Sequence, residues 1–193
     1  MEQTKKYTVI TGASSGIGYE AAKAFAERRK NLIVAARRTE KLETLKREIS
    51  EQHPTLDVII RTVDLSVLRN VYQFYSSLKD FQLETWVNNA GFGNYDSVAQ
   101  QDLEKIDTML RLNVEALTIL SSLFVRDYKD VPGTQLINLS SCGGYTIVPT
   151  AVTYCATKFY VSTFTEGLAW ELIETGAKMR AKVLAPAATQ TEF

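Results

Sequence analysis

The sequence predicts an α/β fold: a doubly wound parallel sheet with helices on both faces, in a three-layer α/β/α arrangement. Short apolar segments with strand character alternate with longer segments of helical periodicity along the chain. This alternation is typical of a parallel sheet covered on both faces. Each glycine-rich or polar cluster also follows directly after a strand segment. Because the carboxyl ends of parallel strands meet at one edge of the sheet, we expect one ligand cleft there.

Length and composition describe one globular domain, residues 1–193. Hydrophobic residues make up 45% and charged residues 23%, the proportions of a soluble protein with a sizeable core. Lysine plus arginine and aspartate plus glutamate balance at 22 each, so a small molecule is a better candidate partner than nucleic acid. No apolar signal core follows Met1, and no uninterrupted apolar run reaches membrane-spanning length. We therefore expect a cytoplasmic location and no membrane contact.

Residues that commonly ligate metals or act as nucleophiles are few. Cys142 and Cys155 lack the spacing of a metal site or a disulfide framework, so we expect both to be reduced and no metal to be bound. The single histidine, His53, lies in polar turn sequence. This position disfavours a hydrolase that depends on a serine–histidine pair.

The first predicted strand, residues 7–10, leads into a glycine-rich turn. Residues 11–18 read TGASSGIG and open an amphipathic helix that extends to about residue 28. Glycines allow a tight turn and a close approach to a pyrophosphate, whose charge the helix N-terminus favours. The spacing is Gly-x-x-x-Gly-x-Gly rather than Gly-x-Gly-x-x-Gly. A strand before it and a helix after it favour dinucleotide binding over a simple connection.

The second strand, residues 32–36, ends at Arg37 and Arg38. In dinucleotide folds an acidic residue at this strand end holds the adenosine ribose, whereas an arginine accommodates a 2′-phosphate. A charge-assisted bond to phosphate is worth roughly 1.5 to 3 kcal/mol. The pair of arginines therefore favours NADP(H), with NAD(H) as the second choice. In the alternative interpretation both arginines only flank the sheet edge beside Glu40 and Glu43.

A third strand covers residues 58–60, and Asp64 lies at its polar end. Two roles for Asp64 stay open: a hydrogen bond to an adenine amino group, or capping of a helix that we expect to continue through residue 78. Neither role is favoured by the sequence.

The fourth strand, residues 85–87, ends in two asparagines. Asn88 and Asn89 are suited to tie neighbouring strand ends together, and Gly91 lets a cofactor ribose lie against the backbone. A cofactor cleft needs both features.

A helical segment follows from about residue 102 to residue 128, and Asn113 interrupts its apolar pattern. Asparagine is unfavourable in the middle of a helix and often bonds to backbone. Asn113 therefore has either this structural role or a place in a kink whose freed carbonyl binds a water.

The last two strands also end in clusters of small and polar residues. Residues 136–139 form the fifth strand, and Ser-Ser-Cys-Gly-Gly follows at 140–144. Residues 181–184 form the sixth, and the segment that contains Pro186 and Thr191 comes after it.

Tyr154 and Lys158 lie four residues apart at the start of a predicted long helix and so share one face. At about 5 Å and an effective dielectric of about 20, the ammonium is worth roughly 3 kcal/mol to a phenolate. That energy corresponds to about two pKa units. We therefore expect Lys158 to lower the pKa of Tyr154 enough for proton exchange near neutral pH.

The long helix, to about residue 174, is apolar nearly all round, whereas a surface helix needs only one apolar stripe. We expect it to pack on the sheet and also on a second subunit, in a homodimer or homotetramer formed through the long helices.

Together these motifs resemble the short-chain dehydrogenase/reductase family, in the branch with a tyrosine-based site. The resemblance covers essentially the whole chain, from TGASSGIG through NNAG at 88–91 to the serine, YCATK at 154–158 and the final proline turn. It implies a Rossmann-type sheet and hydride transfer between a nicotinamide and a carbonyl or alcohol carbon.

The resemblance also implies roles for single residues. Tyr154 matches the general acid of reduction, or the base of the reverse reaction, and Lys158 matches the residue that depresses its pKa and bonds the nicotinamide ribose. Ser141 matches the serine that orients the substrate oxygen, and Asn113 matches the asparagine that holds a relay water. The remaining matches are cofactor contacts: Gly12, Ser14, Ser15, Gly16, Ile17, Gly18, Arg37, Arg38, Asp64, Leu65, Asn89, Ala90, Gly91, Pro186 and Thr191.

Two departures from the family pattern concern the C-terminal part. Pro186 is followed by Ala187 where the family commonly has glycine, and alanine resists backbone angles that glycine accepts. The sequence also ends at Phe193, before the substrate lid and last strand that the family usually adds. We expect a truncated or partial chain.

The function that this evidence favours is NADPH-dependent reduction of a small-molecule carbonyl. The alternatives are an alcohol dehydrogenase working oxidatively, and a catalytically idle dinucleotide-binding sensor or scaffold. The last does not need the complete set of catalytic residues. Six residues are expected to line an apolar or aromatic substrate pocket, or else to be core and turn residues: Phe92, Asn94, Tyr95, Gly143, Tyr145 and Val148.

Overall fold

The computed structural model describes residues 5–187 and contains one six-stranded sheet. Its strands are β1 (Lys6–Thr11), β2 (Asn31–Ala36), β3 (Val58–Thr62), β4 (Gln82–Asn88), β5 (Gln135–Leu139) and β6 (Arg180–Leu184). They lie in the order β3-β2-β1-β4-β5-β6, and every neighbouring pair is parallel. The predicted α/β fold is confirmed.

Helices connect the strands. They are α1 (Gly16–Glu27), α2 (Thr39–Gln52), α3 (Leu68–Ser76), α4 (Leu103–Leu110), α5 (Leu117–Tyr128) and α6 (Val152–Glu174). A π-helix, Arg111–Ala116, joins α4 to α5, and short 3-10 turns lie at Val98–Gln100 and Cys142–Gly144. The segment predicted as one helix from 102 to 128 is therefore continuous but changes its winding around Asn113.

Two hydrophobic layers cover the two faces of the sheet because successive strand side chains point to opposite sides. Val9 packs in the layer formed with α3, α5 and α6, whereas its neighbour Ile10 packs in the layer formed with α1 and α2. Trp86 is fully buried in the first layer, with ring centroids of Phe74 and Phe124 at 5.9 and 5.6 Å. Burying one such large side chain stabilises the fold by roughly 1.5–3 kcal/mol.

A buried polar network joins the ends of β4 and β5. The Nδ2 atom of Asn88 donates to Ser121 Oγ at 3.0 Å and to Asn138 Oδ1 at 2.9 Å. The indole of Trp86 donates to Asn88 Oδ1 at 2.8 Å. These bonds confirm that Asn88 ties neighbouring strand ends.

The winding direction of the sheet reverses between β1 and β4. The chain runs outward from β1 to β3, returns to the centre and then runs outward on the other side from β4 to β6. The loops at the carboxyl ends of β1 and β4 therefore diverge, which opens a crevice at the usual ligand position of such sheets.

Within the described part of the chain, residues 103–128 form the one helical stretch long and apolar enough to cross a membrane by length and composition. Leu117, Leu120 and Phe124 of this stretch are buried, and Leu120 and Phe124 pack in the core beneath the sheet. A core helix of a soluble protein meets the same criterion, so one such stretch is weak evidence of a membrane span.

Candidate active site

One cleft of about 770 Å³ follows the carboxyl edge of the sheet. It brings together most of the residues that the sequence predicts to bind the cofactor or take part in catalysis. Those lining it are Gly12, Ser14, Ser15, Gly16, Ile17, Arg37, Arg38, Asp64, Leu65, Asn89, Ala90, Gly91, Ser141, Tyr154, Lys158 and Pro186. Gly18 and Asn113 lie outside the lining, and Thr191 falls outside the described residues.

The glycine-rich turn is packed too closely for side chains at two positions. Gly12 has a φ of +69°, and a Cβ there would lie 2.7 Å from the Cα of Ala90. A Cβ on Gly18, in the first turn of α1, would overlap the Asn89 amide. Gly18 therefore acts from behind the cleft, where it allows α1 to approach the end of β4.

Asn89 joins the end of β4 to the glycine-rich turn. Its Nδ2 atom donates to the carbonyl oxygens of Thr11 at 2.9 Å and Gly12 at 3.0 Å. The Thr11 hydroxyl accepts in return from the backbone N–H groups of Asn89 and Ala90, both at 3.1 Å. The sequence analysis did not identify Thr11 as a site residue. Its position, at the end of a strand and directly before a glycine-rich turn, could have indicated this role.

Arg37 and Arg38 differ in their surroundings. The Nη2 atom of Arg38 donates to Ser14 Oγ at 3.1 Å and to Ser15 Oγ at 2.8 Å. Arg37 is exposed, and its positive charge lowers the pKa of Asp64. A guanidinium beside two hydroxyl groups is a suitable set of donors for a phosphate. Arg38 is thus the better placed of the two.

Asp64 accepts two hydrogen bonds through Oδ1, from the Ser66 N–H at 2.9 Å and the Ser66 hydroxyl at 2.7 Å. Burial raises the pKa of this carboxyl, but the bonds from Ser66 and the charge of Arg37 outweigh burial and hold the pKa below its usual value. The N-cap of α3 is Val67, so the proposed capping role is wrong. Asp64 instead stabilises the turn before the helix while lining the cleft.

Asn113 lies in the π-helix and is 1% exposed. Its side chain bonds the backbone of Phe92 at both groups: Nδ2 donates to the carbonyl oxygen at 2.9 Å, and Oδ1 accepts from the N–H at 3.1 Å. This arrangement confirms the predicted bonding to backbone. The interruption of the apolar pattern coincides with a π-helix, a feature frequent at functional sites.

The two serines after β5 point in different directions. Ser140 is buried; its hydroxyl donates to the carbonyl oxygen of Lys158 at 2.9 Å and shares a hydrogen bond of 2.8 Å with Ser162. The Ser141 hydroxyl accepts from the Gly143 N–H at 3.2 Å and is close enough to the Tyr154 phenol to lower the pKa of that group. Ser141 therefore meets Tyr154, whereas Ser140 holds α6 against the sheet.

Tyr154 and Lys158 are the third and seventh residues of α6 and lie on the same face. The Lys158 Nζ atom is 5.8 Å from the centroid of the Tyr154 ring. It donates to the Leu139 carbonyl oxygen at 2.9 Å. Both side chains are buried, at 7% and 6% exposure, so the titration of each is governed by its surroundings.

The direction of the Tyr154 pKa shift corrects the sequence prediction. Burial raises the pKa of this phenol, and the nearby Ser141 hydroxyl lowers it by less. Burial also lowers the pKa of Lys158 to about 8. The predicted lowering of the Tyr154 pKa is wrong for this structure. Burial destabilises the phenolate by more than the neighbouring groups stabilise it.

The outer end of the cleft is apolar. Phe92, Tyr95 and Val148 line it, and the ring of Tyr95, 60% exposed, lies 6.0 Å from that of Tyr154. Of the six residues predicted for this pocket, Phe92, Tyr95, Gly143 and Val148 are part of its lining. Asn94 and Tyr145 are not part of it. Asn94 is buried, and the hydroxyl of Tyr145 donates to the Glu166 carboxylate.

Metal-ligating side chains do not converge in the part of the chain that the structure describes. Residues 5–187 contain no group of three or more histidine, cysteine, aspartate or glutamate side chains able to hold a metal ion. Ser141, Tyr154 and Lys158 are lining residues of the cleft that can take part in proton transfer, and the glycine-rich turn forms another part of its wall.

This fold and cleft are those of a nucleotide-binding class of α/β proteins, in which the ligand lies at the reversal point of a doubly wound sheet. Comparison with known proteins specifies the family. The short chain dehydrogenase profile matches residues 6–193, and the chain belongs to that family.

Relatives and solved structures agree with the family. The chain is 30% identical over 196 residues to dehydrogenase/reductase SDR family member 11 of Gallus gallus, which covers 98% of this chain and 77% of the relative. A short-chain dehydrogenase from Sphingobium yanoikuyae in complex with NADPH has a TM-score of 0.90 and 30% identity, covering 97% of this chain and 72% of that one. The bulky-bulky ketone specific alcohol dehydrogenase from Comamonas testosteroni has a TM-score of 0.90 and 28% identity, covering 97% and 75%. The protein is an oxidoreductase of the short-chain dehydrogenase type.

Proposed function

We propose that the protein reduces a carbonyl group of a small molecule to an alcohol, with NADPH as the reductant and Tyr154 as the general acid. One observation carries the proposal: the Tyr154 phenol lines one cleft with Ser141 and Lys158, and this cleft continues to the glycine-rich turn. Burial raises the pKa of Tyr154, so the phenol keeps its proton at neutral pH. A protonated phenol is the form in which a general acid can donate to the oxygen of a carbonyl substrate.

The cleft fits a nicotinamide dinucleotide. Gly12 packs against Ala90 and Gly18 against Asn89, which holds the turn and α1 close to the end of β4. The N-terminus of α1 faces the cleft through Ser15, Gly16 and Ile17, and its backbone N–H groups favour a pyrophosphate there. When bound, the cofactor supplies a hydride. The residues proposed to hold it are Gly12, Ser14, Ser15, Gly16, Ile17, Gly18, Arg37, Arg38, Asp64, Leu65, Asn89, Ala90, Gly91, Tyr154, Lys158, Pro186 and Thr191.

The preference for NADPH rests on Arg38. Its guanidinium and the hydroxyls of Ser14 and Ser15 form one cluster at the end of the cleft next to β2. A 2′-phosphate would find charge-assisted donors there. The related enzyme from Sphingobium yanoikuyae, solved with NADPH, supports this choice.

The chain's own groups then handle the proton. The Ser141 hydroxyl orients the substrate oxygen, and the Tyr154 hydroxyl donates its proton to that oxygen as the carbonyl becomes an alcohol. The Lys158 ammonium stabilises the phenolate that remains. Asn113 lies next to Lys158 across Gly91: a Cβ on this glycine would be 2.9 Å from Asn113 Oδ1 and 3.7 Å from Lys158 Nζ. Asn113 is therefore proposed to hold a relay water that returns a proton towards Tyr154.

Assembly and location are part of the same proposal. Phe159, Tyr160, Trp170 and Ile173 on α6 expose between 37% and 68% of their surface. An exposed apolar helix face is typical of a subunit interface, which supports a homodimer or homotetramer formed through the long helices. We propose that this oligomer works in the cytoplasm. Sedimentation that shows only monomer at micromolar concentration would contradict the assembly.

The test of the reaction is NADPH consumption with a panel of aldehydes, ketones, 3-oxoacyl esters and sugars. Tyr154→Phe should lower kcat by about 10² to 10⁴ because general acid catalysis contributes that much. NADPH binding should stay nearly unchanged. Tyr72→Phe, at an exposed tyrosine of α3, is the control. Wild-type turnover in Tyr154→Phe would show that the mechanism is wrong.

A further inference from the structure

A buried hydroxyl group connects the helix of Tyr154 to the π-helix of Asn113. Thr157 is 1% exposed and lies in α6, one residue before Lys158. Its Oγ1 atom donates to the Tyr154 carbonyl oxygen at 2.7 Å and accepts from Asn113 Nδ2 at 3.2 Å. The proposed proton donor and the proposed relay asparagine are thus linked through one hydroxyl group.

The Asn113 amide extends this link to a third segment. Both Nδ2 protons are used, one on the Phe92 carbonyl oxygen and one on Thr157 Oγ1, and Oδ1 accepts from the Phe92 N–H. Phe92 is the first residue of the loop that continues to Tyr95, and the Tyr95 ring packs near the Tyr154 ring, with centroids 6.0 Å apart. Thr157 therefore connects the first turns of α6, the π-helix and the loop that walls the outer cleft.

We infer that Thr157 is a positioning residue for the reaction: its hydroxyl holds Asn113 and the loop from Phe92 to Tyr95 in register with Tyr154. The inference rests on the proposed function, since it assigns Thr157 a role only through Tyr154 as proton donor. Removal of the hydroxyl leaves one buried Nδ2 proton of Asn113 without its acceptor. The π-helix and the loop are then free to shift relative to Tyr154. A displacement of about 1 Å at a reacting group can cost roughly 10²-fold in rate.

Thr165 offers a matched control on the same helix. It is fully buried, its Oγ1 atom donates to the Val161 carbonyl oxygen at 2.7 Å, and it accepts from Asn138 Nδ2 at 3.0 Å. The two threonines thus share burial and bonding pattern, but Thr165 contacts β5 and not the π-helix. Loss of either hydroxyl group should lower the stability of the protein by a similar amount. Only the loss of the Thr157 hydroxyl should lower kcat.

The experiment compares Thr157→Val, Thr157→Ser, Thr165→Val and Tyr154→Phe with the wild type, using NADPH with benzaldehyde and with acetophenone. Thr157→Val should lower kcat by about 10- to 100-fold while the KM for NADPH stays constant. Thr157→Ser keeps the hydroxyl and should restore most of kcat. Thr165→Val should lose a similar amount of thermal stability and keep the wild-type kcat.

The outcomes distinguish a failure of this inference alone from a failure of the proposed function. If Tyr154→Phe is inactive while Thr157→Val retains the kcat of Thr165→Val, Thr157 has no positioning role and the proposed function stands. If Tyr154→Phe keeps wild-type turnover, the proposed function fails and this inference fails with it. If the wild type reduces neither carbonyl, crystal structures of the wild type and Thr157→Val decide. An unmoved Asn113 amide and an unmoved loop from Phe92 to Tyr95 would overturn the inference, and a displaced amide or loop would support it.

Discussion

The Lys158 ammonium lies 5.8 Å from the centre of the Tyr154 ring, but its hydrogen bond goes to the Leu139 carbonyl oxygen at 2.9 Å. Leu139 is the last residue of β5, so the charge is held by the edge of the sheet as well as by its own helix. Burial lowers the pKa of this lysine to about 8. The cation next to the proposed proton donor is therefore partly deprotonated a short way above neutral pH.

The lowered pKa of Lys158 predicts how stability depends on pH. The ordinary value is 10.5 and the folded value is about 8, so between these values the unfolded chain holds a proton that the folded chain has released. Stability from this group therefore rises with pH across that window, by about 3 kcal/mol in total. Urea unfolding at pH 7, 8.5 and 10 should show the wild type gaining stability relative to Lys158→Met. Lys46→Met, at an exposed lysine of α2, is the control, and parallel pH profiles for the wild type and Lys158→Met would contradict the prediction.

Arg38 should dominate cofactor preference. Arg38→Ala removes the guanidinium from the cluster with Ser14 and Ser15 and should raise the KM for NADPH by about tenfold or more, with little change for NADH. Arg37→Ala should raise the KM for NADPH by less, because Arg37 is exposed and its charge lowers the pKa of Asp64. Steady-state kinetics with both cofactors measure this. A lower KM for NADH than for NADPH in the wild type would contradict the assignment.

Tyr95 should contribute to the binding of aromatic carbonyl substrates. Its exposed ring lies 6.0 Å from that of Tyr154 at the apolar end of the cleft. Aromatic contacts are worth about 0.5–1.5 kcal/mol beyond area burial. Tyr95→Ala should therefore raise the KM for benzaldehyde by roughly 2- to 12-fold and leave the KM for NADPH constant. Tyr72→Ala is the matched surface control, and equal KM values in the two variants would refute the role of Tyr95.

The buried hydroxyl group of Thr8 is predicted to lower the free energy of unfolding. This residue of β1 is fully buried, and its hydroxyl has no hydrogen-bond partner among residues 5–187. A buried polar group without a partner costs about 1–3 kcal/mol. Thr8→Val should therefore raise the free energy of unfolding by about 1 kcal/mol or more, measured by urea denaturation. Thr165→Val, where the hydroxyl is bonded twice, should change stability in the opposite direction. Destabilisation by both variants would show that the Thr8 hydroxyl is satisfied in solution.

Local patterns in the sequence predicted the six strands, the glycine-rich turn and the polar clusters that follow the strands. They did so because strand and helix periodicities, glycine freedom and the four-residue spacing of Tyr154 and Lys158 are properties of neighbouring residues. The sheet edge then collects these residues from distant parts of the chain, and the family motifs identify their arrangement as a dinucleotide cleft.

Burial and long-range contacts decided the rest. The upward pKa shift of Tyr154, the advantage of Arg38 over Arg37 and the link from Thr157 to Asn113 all depend on side chains that are remote in sequence. A sequence specifies which groups are present, but the cost of removing a phenolate from water depends on everything packed around it. The spacing of Tyr154 and Lys158 thus indicated a shared helix face, while only the folded core determined that the phenol keeps its proton.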